Sequence, residues 1–187
     1  MKERPILFNG DMVRAILNGT KTQTRRIMKP QMEVVDVEGL FSSLAYPIKG
    51  NKKLLYPNAK QSIIDLCPQG KKMDRLWVRE TFTANEFMEC KYRADGTIPS
   101  HWTPSIHMPR WASRITLEIT NVRVERLQDI SESDAAAEGF DIPAAEDQGW
   151  KFTARYNFKF TWDRIYKNWN QNPWVWVIEF KKIPEAA

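Results

Sequence analysis

The sequence predicts an α+β fold: a curled sheet or small β-barrel flanked by two or three short helices. Several short alternating apolar runs are spread along the chain, and only two or three windows carry helical spacing. The strand and helix windows do not alternate in the regular way that builds a doubly wound parallel sheet. The 187 residues favour one domain with a sizeable core, and no internal repeat or linker divides them.

Taken in order, Pro5-Ile6-Leu7-Phe8 reads as a short strand. Residues 11–18 place Met12, Val13, Ile16 and Leu17 on one stripe of an amphipathic helix, and Gly19 stands where a left-handed residue would stop it. A turn from Thr20 then leads into the β-prone run 22–27, which Pro30 ends. Residues 31–70 are punctuated by Gly39, Pro47, Gly50, Pro57, Pro68 and Gly70, and read as a loop-rich insertion with one hairpin. Residues 74–82 alternate Leu76, Val78, Glu80 and Phe82 with Trp77, Arg79 and Thr81, which is a strand pattern. It places the Glu80 carboxylate on the apolar side, where an unpaired charge is very costly. Residues 91–96 read as a strand ending in an Asp-Gly turn.

The run 114–127 is the clearest strand. Ile115, Leu117 and Ile119 share one parity and Val122 and Val124 the other, so a bulge or bend is expected near Thr120-Asn121. Ser131 with Asp134 three residues on begins a helix that Gly139 stops. A second helix over 155–168 puts Phe158, Trp162, Ile165, Tyr166 and Trp169 on one face. Residues 174–180 are apolar at both parities, as a central strand requires. Trp162, Trp174 and Trp176 are therefore assigned to the core.

Charge is distributed unevenly. Residues 1–30 hold seven basic and two acidic groups, which already accounts for the net charge of +5, and the rest of the chain balances. No apolar run approaches the length of a membrane span, and the N-terminus lacks the features of a signal peptide. Cys67 and Cys90 form no CxxC and no zinc spacing with His101 or His107. Free thiols, a cytoplasmic location and no metal or organic cofactor are expected.

The strongest local constellation is Asn18-Gly19-Thr20-Lys21-Thr22-Gln23-Thr24-Arg25-Arg26. A glycine-stopped helix followed by Lys, hydroxyls and two Arg can present donors to a phosphate, a carboxylate or a developing oxyanion, or can be a solvated basic loop. It is no Walker A loop, because no second glycine precedes Lys21. Its order Gly19-x-Lys21-x-x-x-Arg25 resembles the G-x-K-x-x-x-R signature of the ASCH domain family. The blocks 74–81, 107–114, 125–130 and 172–176 resemble the longer phage and prophage members of that family. The resemblance covers nearly the whole chain except 31–70 and 141–155, and implies a small PUA-like β-barrel flanked by helices.

The short bacterial members that share this signature hydrolyse the acetyl amide of N4-acetylcytidine with a Lys and a Thr of the signature and a Glu of a later helix. Carried over, the resemblance implies Lys21 as base, Thr24 as nucleophile and Glu138 as acid/base, although this chain is nearly twice as long as those hydrolases. Other members are thought to bind RNA, and one is described as a ribonuclease. The rival expectations are thus a non-catalytic RNA- or nucleotide-binding module with Lys21, Arg25 and Arg26 on phosphates, and a ribonuclease.

Chemically, a Thr hydroxyl needs an adjacent base, and a Lys serves as one only where desolvation or a nearby cation, here Arg25 or Arg26, lowers its pKa. In a regular strand Lys21 and Thr24 would face opposite ways, so the scheme needs Lys21 in the turn. Glu80 is a competing carboxylate, either an ion-pair partner with Arg26 as candidate or the floor of a pocket. Arg79, Arg110, Trp111 and Arg114 fit a base-stacking surface with phosphate contacts, while Trp111 fits core packing equally well.

Overall fold

The structure, a computed structural model, describes residues 1–96, 98–140 and 153–184. Five strands form the main sheet: β1 (Glu3–Leu7), β6 (Arg75–Arg79), β9 (Thr116–Arg126), β10 (Trp174–Lys182) and β2 (Gln23–Ile27), in that spatial order. β1 runs parallel to β6 and the other pairings are antiparallel. β10 is internal and its residues Trp174 to Ile178 are all buried, as expected of a strand apolar at both parities.

The expected bend lies where the alternation switches. Asn121 faces Glu179 and Ile119 faces Phe180, so Thr120 is the extra residue on β9. One parity of β10 (Trp174, Trp176, Ile178, Phe180) packs on α1 (Gly10–Leu17) and α2 (Lys60–Ile64). The other parity (Val175, Val177) packs under α3 (Glu132–Ala137) and α4 (Ala154–Tyr166) with Phe158, Trp162 and Trp169. Ile165, expected on the buried face of α4, is instead half exposed.

The fold is a small mixed α/β arrangement, and among the described residues no barrel closes, so the barrel form of the expectation is corrected. The sheet ends at β1 and β2, and the two edges meet through a side chain: an Arg26 Nη2 of β2 donates to the Leu7 carbonyl of β1 at 2.8 Å. No backbone ladder joins β1 to β2 among the described residues.

There are four α-helices among the described residues, one more than the upper expectation, the addition being α2. It belongs to the segment read as loop-rich with one hairpin. There β3 (Glu33–Val37), β4 (Phe41–Ile48) and β5 (Lys52–Tyr56) form a three-stranded meander that sends Tyr46 and α2's Ile63 into the main core. The glycines and prolines of 31–70 therefore mark turns between strands. A small ribbon, β7 (Phe82–Ala84) with β8 (Cys90–Tyr92), completes the strands. No helix among the described residues is long and apolar enough to cross a membrane.

Candidate functional site

Lys21 is placed by two helix ends. Gly19 takes a φ of +77° and ends α1, and the amides of Thr20 and Lys21 both donate to the Ala15 carbonyl. Ser131 caps α3 through the Asp134 amide, and Gly139 takes a φ of +89° just beyond Glu138. A Cβ at Gly139 would lie 2.9 Å from the Ala15 Cβ and 3.3 Å from the Lys21 Cβ, so this glycine lets the two turns touch. Lys21 and Glu138 then form an isolated antiparallel bridge ahead of β2.

The Lys21 side chain is wholly buried. Its ammonium donates to the Gln23 and Glu138 carbonyls, each at 2.9 Å, and to Glu138 Oε2 at 2.8 Å. It also lies 5.5 Å from the centre of the Phe8 ring, which Arg26 approaches at 5.3 Å. Burial pushes the Lys21 pKa down, the Glu138 carboxylate opposes that shift, and Arg26 and Arg25 add to it.

Arg25, likewise buried, reaches Glu138 Oε1 at 3.1 Å, Glu125 Oε1 at 2.8 and 2.5 Å and Asp134 Oδ2 at 3.2 Å. Arg123 bonds Asp134, Glu125 and Glu179, and Gln23 donates to Asp134. Asp134 loses solvation here, yet Gln23 together with Arg123 and Arg25 holds its pKa below the usual carboxylate value. Three cations (Lys21, Arg25, Arg123) thus meet four carboxylates (Glu125, Asp134, Glu138, Glu179). Of the seven basic residues in the first thirty, Lys21 and Arg25 are neutralised here, so the cluster presents no net positive field to a phosphate.

Thr24 is buried in β2 opposite Ile178, and its hydroxyl makes no hydrogen bond to a described residue. It lines a cavity of about 30 Å³ with Arg25, Arg26 and Glu138, walled by Met12 of α1 and by Phe158, Trp162 and Tyr166 of α4. β2 is the last strand of the sheet, so residues of both its faces reach this edge cavity. Lys21 precedes the strand, as the parity argument requires.

The remaining candidates lie elsewhere. Glu80 is buried and pairs with Arg114 through both oxygens at 2.9 and 3.1 Å; Arg26 is not its partner. Arg114 also binds Asp95 and stacks 3.9 Å from the centre of the Tyr92 ring. Burial raises the Glu80 pKa against the pull of Arg114. Glu80 also lines a cavity of about 350 Å³ with Asn9, Asp11, Arg14, Thr81 and Arg93, so it is both an ion-pair partner and a cavity group. Arg110 pairs with Glu3 at 3.0 Å, Trp111 is 52% exposed and so is not core packing, and Arg79 lies 5.5 Å from the Trp77 ring centre. No ion pair or hydrogen bond described for these residues reaches the Lys21 cluster.

Arg123, Glu125 and Asp134 are the residues that sequence reasoning passed over. Their signal was available, since inward Val122 and Val124 put Arg123 and Glu125 together on the opposite face of β9. Comparison with protein-family models, with curated proteins and with solved structures found no match for this chain.

Proposed function

We propose that this protein hydrolyses a small acyl amide on a modified pyrimidine nucleoside or base of the N4-acetylcytidine type, within an ASCH-like, PUA-like fold. The observation that carries the reading is a fully buried amine with a lowered pKa, held by Glu138 at 2.8 Å, close in the chain to a Thr24 hydroxyl that is unengaged and borders a cavity. A buried lysine of depressed pKa is a group suited to act as a base.

In the proposed cycle the Lys21 ammonium first passes a proton to Glu138, and the amine so formed takes the Thr24 proton as Oγ1 adds to the acyl carbonyl carbon. Arg26 spends one N–H on Leu7 and lines the same cavity, so it is the donor available to the developing oxyanion. Collapse breaks the C–N bond, and the Lys21 ammonium gives its proton to the leaving nitrogen. Water, deprotonated by the same amine, then adds to the acyl ester on Thr24. Cleavage of the ester C–O bond frees the acid and returns a proton to Oγ1. Glu138 holds the amine in place between these steps and returns its proton to Lys21 when the cycle closes.

A cavity of about 30 Å³ has room for a water-sized group, so the acyl end enters it and the base stays outside against α4. The charge balance disfavours the phosphate-binding module, because Lys21 and Arg25 already have carboxylate partners.

The test is acetate release from N4-acetylcytidine without added metal. Turnover is expected for the acetyl compound above bulkier acyl groups, and Thr24→Ala and Lys21→Ala should abolish it while Thr24→Ala still binds nucleoside. Absence of turnover on every N4-acylcytidine, or full activity in Thr24→Ala, refutes the reading.

A further inference from the structure

A third cavity lies on the far side of β9. That strand pairs with β6 only through Thr116, Leu117 and Glu118, and Ile119 then exchanges hydrogen bonds with Met73 and Asp74. Beyond this point α2 and the loop ahead of β6 stand on either side of the strand and enclose about 490 Å³. Such a volume lies within the ordinary range of small-molecule sites.

Its cations come from three separate stretches of chain: Lys60 at the start of α2, Lys71 and Lys72 in the loop, and Arg123 on β9. Arg123 is committed to Glu125, Asp134 and Glu179. The exposed ammonium groups of Lys60, Lys71 and Lys72 have no ion pair or hydrogen bond with any described residue. Among the described residues Asp65 is the one carboxylate on the wall, and Gln61 donates to it at 3.2 Å. Three like charges around one hollow repel each other, and an anion of several charges reverses that term. The contrast with the Lys21 cluster, where carboxylates outnumber cations, is what marks this cavity out.

We infer that this cavity binds a multiply charged phosphate anion, either the oligophosphate of a free ligand or successive phosphates of a nucleic-acid strand. Lysine serves here as a point charge without the planar geometry of arginine, which suits phosphates of variable orientation. Ile64 and Val122, buried in the main core, close the cavity from beneath. The cavity contains none of Lys21, Thr24 and Glu138, so the inference stands independently of the hydrolase reading.

The experiment titrates the full chain with inorganic triphosphate and, separately, with a short single-stranded oligoribonucleotide at graded salt. Lys71→Glu/Lys72→Glu should weaken binding at least about tenfold, and should reduce the salt slope on the strand by about 0.7 for each lysine removed. Lys52→Glu/Lys182→Glu makes the same change in net charge at other exposed sites and should leave affinity within about twofold, as should Thr24→Ala. Triphosphate binding identifies a free anion as the source; strand binding without triphosphate binding identifies a nucleic acid. The inference is overturned if neither probe binds, or if the control pair weakens binding as much as the cavity pair, which is the signature of diffuse attraction. All four lysines are exposed, and unchanged thermal melting of the variants excludes unfolding as the cause.

Discussion

Removing Glu138 tests the buried cluster most directly. In Glu138→Gln the side chain keeps its shape but can accept at only one oxygen, while Lys21 Nζ and Arg25 Nη1 both donate to the present carboxylate at 2.8 and 3.1 Å. Arg25 retains Glu125 and Asp134, so the cost falls mainly on Lys21, whose side chain is 0% exposed. Breaking one side of a buried pair costs about 3–5 kcal/mol. A ceiling exists, because Lys21 can shed its proton instead. From an ordinary value of 10.5 to pH 7 that escape costs about 5 kcal/mol, at ~1.4 kcal/mol per pH unit. Urea unfolding followed by tryptophan fluorescence should therefore show a loss of about 3–5 kcal/mol at pH 7, with an unchanged urea dependence. At pH 10 the escape is nearly free, and the loss should shrink to about 1–2 kcal/mol, the worth of the hydrogen bonds alone. Lys21→Met should cost about 3 kcal/mol, and the double variant should fall short of the sum by about 2 kcal/mol, since each single change strands the other's charge. Additivity within about 0.5 kcal/mol, or a pH-independent cost, would sink the reasoning.

Three further outcomes follow from the geometry. The depressed Lys21 pKa means that between its folded value and 10.5 the unfolded chain binds the extra proton, so native stability relative to Lys21→Met should rise with pH across that window and level off above it, as pH-dependent urea titrations would show. Arg114→Ala strands the Glu80 carboxylate, which is 3% exposed, and should cost about 3 kcal/mol or more in urea unfolding, whereas Asp95→Ala removes a partner that is 42% exposed and should cost under about 1 kcal/mol. Gly19→Ala and Gly139→Ala both place a side chain at positive φ, at about 1–2 kcal/mol each, but only the second also meets Ala15 at 2.9 Å, so its thermal midpoint should fall clearly further.

Local periodicity made much of the scaffold legible. The stripe of residues 11–18, the doubled apolar parity of 174–180 and the parity switch at Thr120 are each settled by neighbours a few residues away, and α1, β10 and the β9 irregularity fall where those patterns put them. The segment 31–70 was harder, because prolines and glycines punctuate a meander as readily as a loop, and what decides between them is the packing of Tyr46 and Ile63 into a distant core. Barrel closure was illegible for a different reason: it depends on whether the two edge strands, β1 and β2, are brought together backbone to backbone by the rest of the sheet, and here Arg26 spans them. For the candidate site, Lys21, Thr24 and Arg25 stand in one visible constellation. The carboxylates that neutralise it come from β9 and α3, and no local pattern says which cation each of them meets.

The separation of those charges along the chain has a consequence for synthesis. Lys21 meets Glu138 across 117 positions, and Arg25 meets Glu125 and Asp134 across 100 and 109. β2 itself waits for β10, so that Ile27 meets Val175. Until those later segments are made, Lys21 and Arg25 have neither the neighbouring strand nor the carboxylates that hold them in the fold. Such contacts between remote positions form late and slowly. Neutralisation of Lys21 and Arg25 by Glu125, Asp134 and Glu138 is thus among the last events of folding.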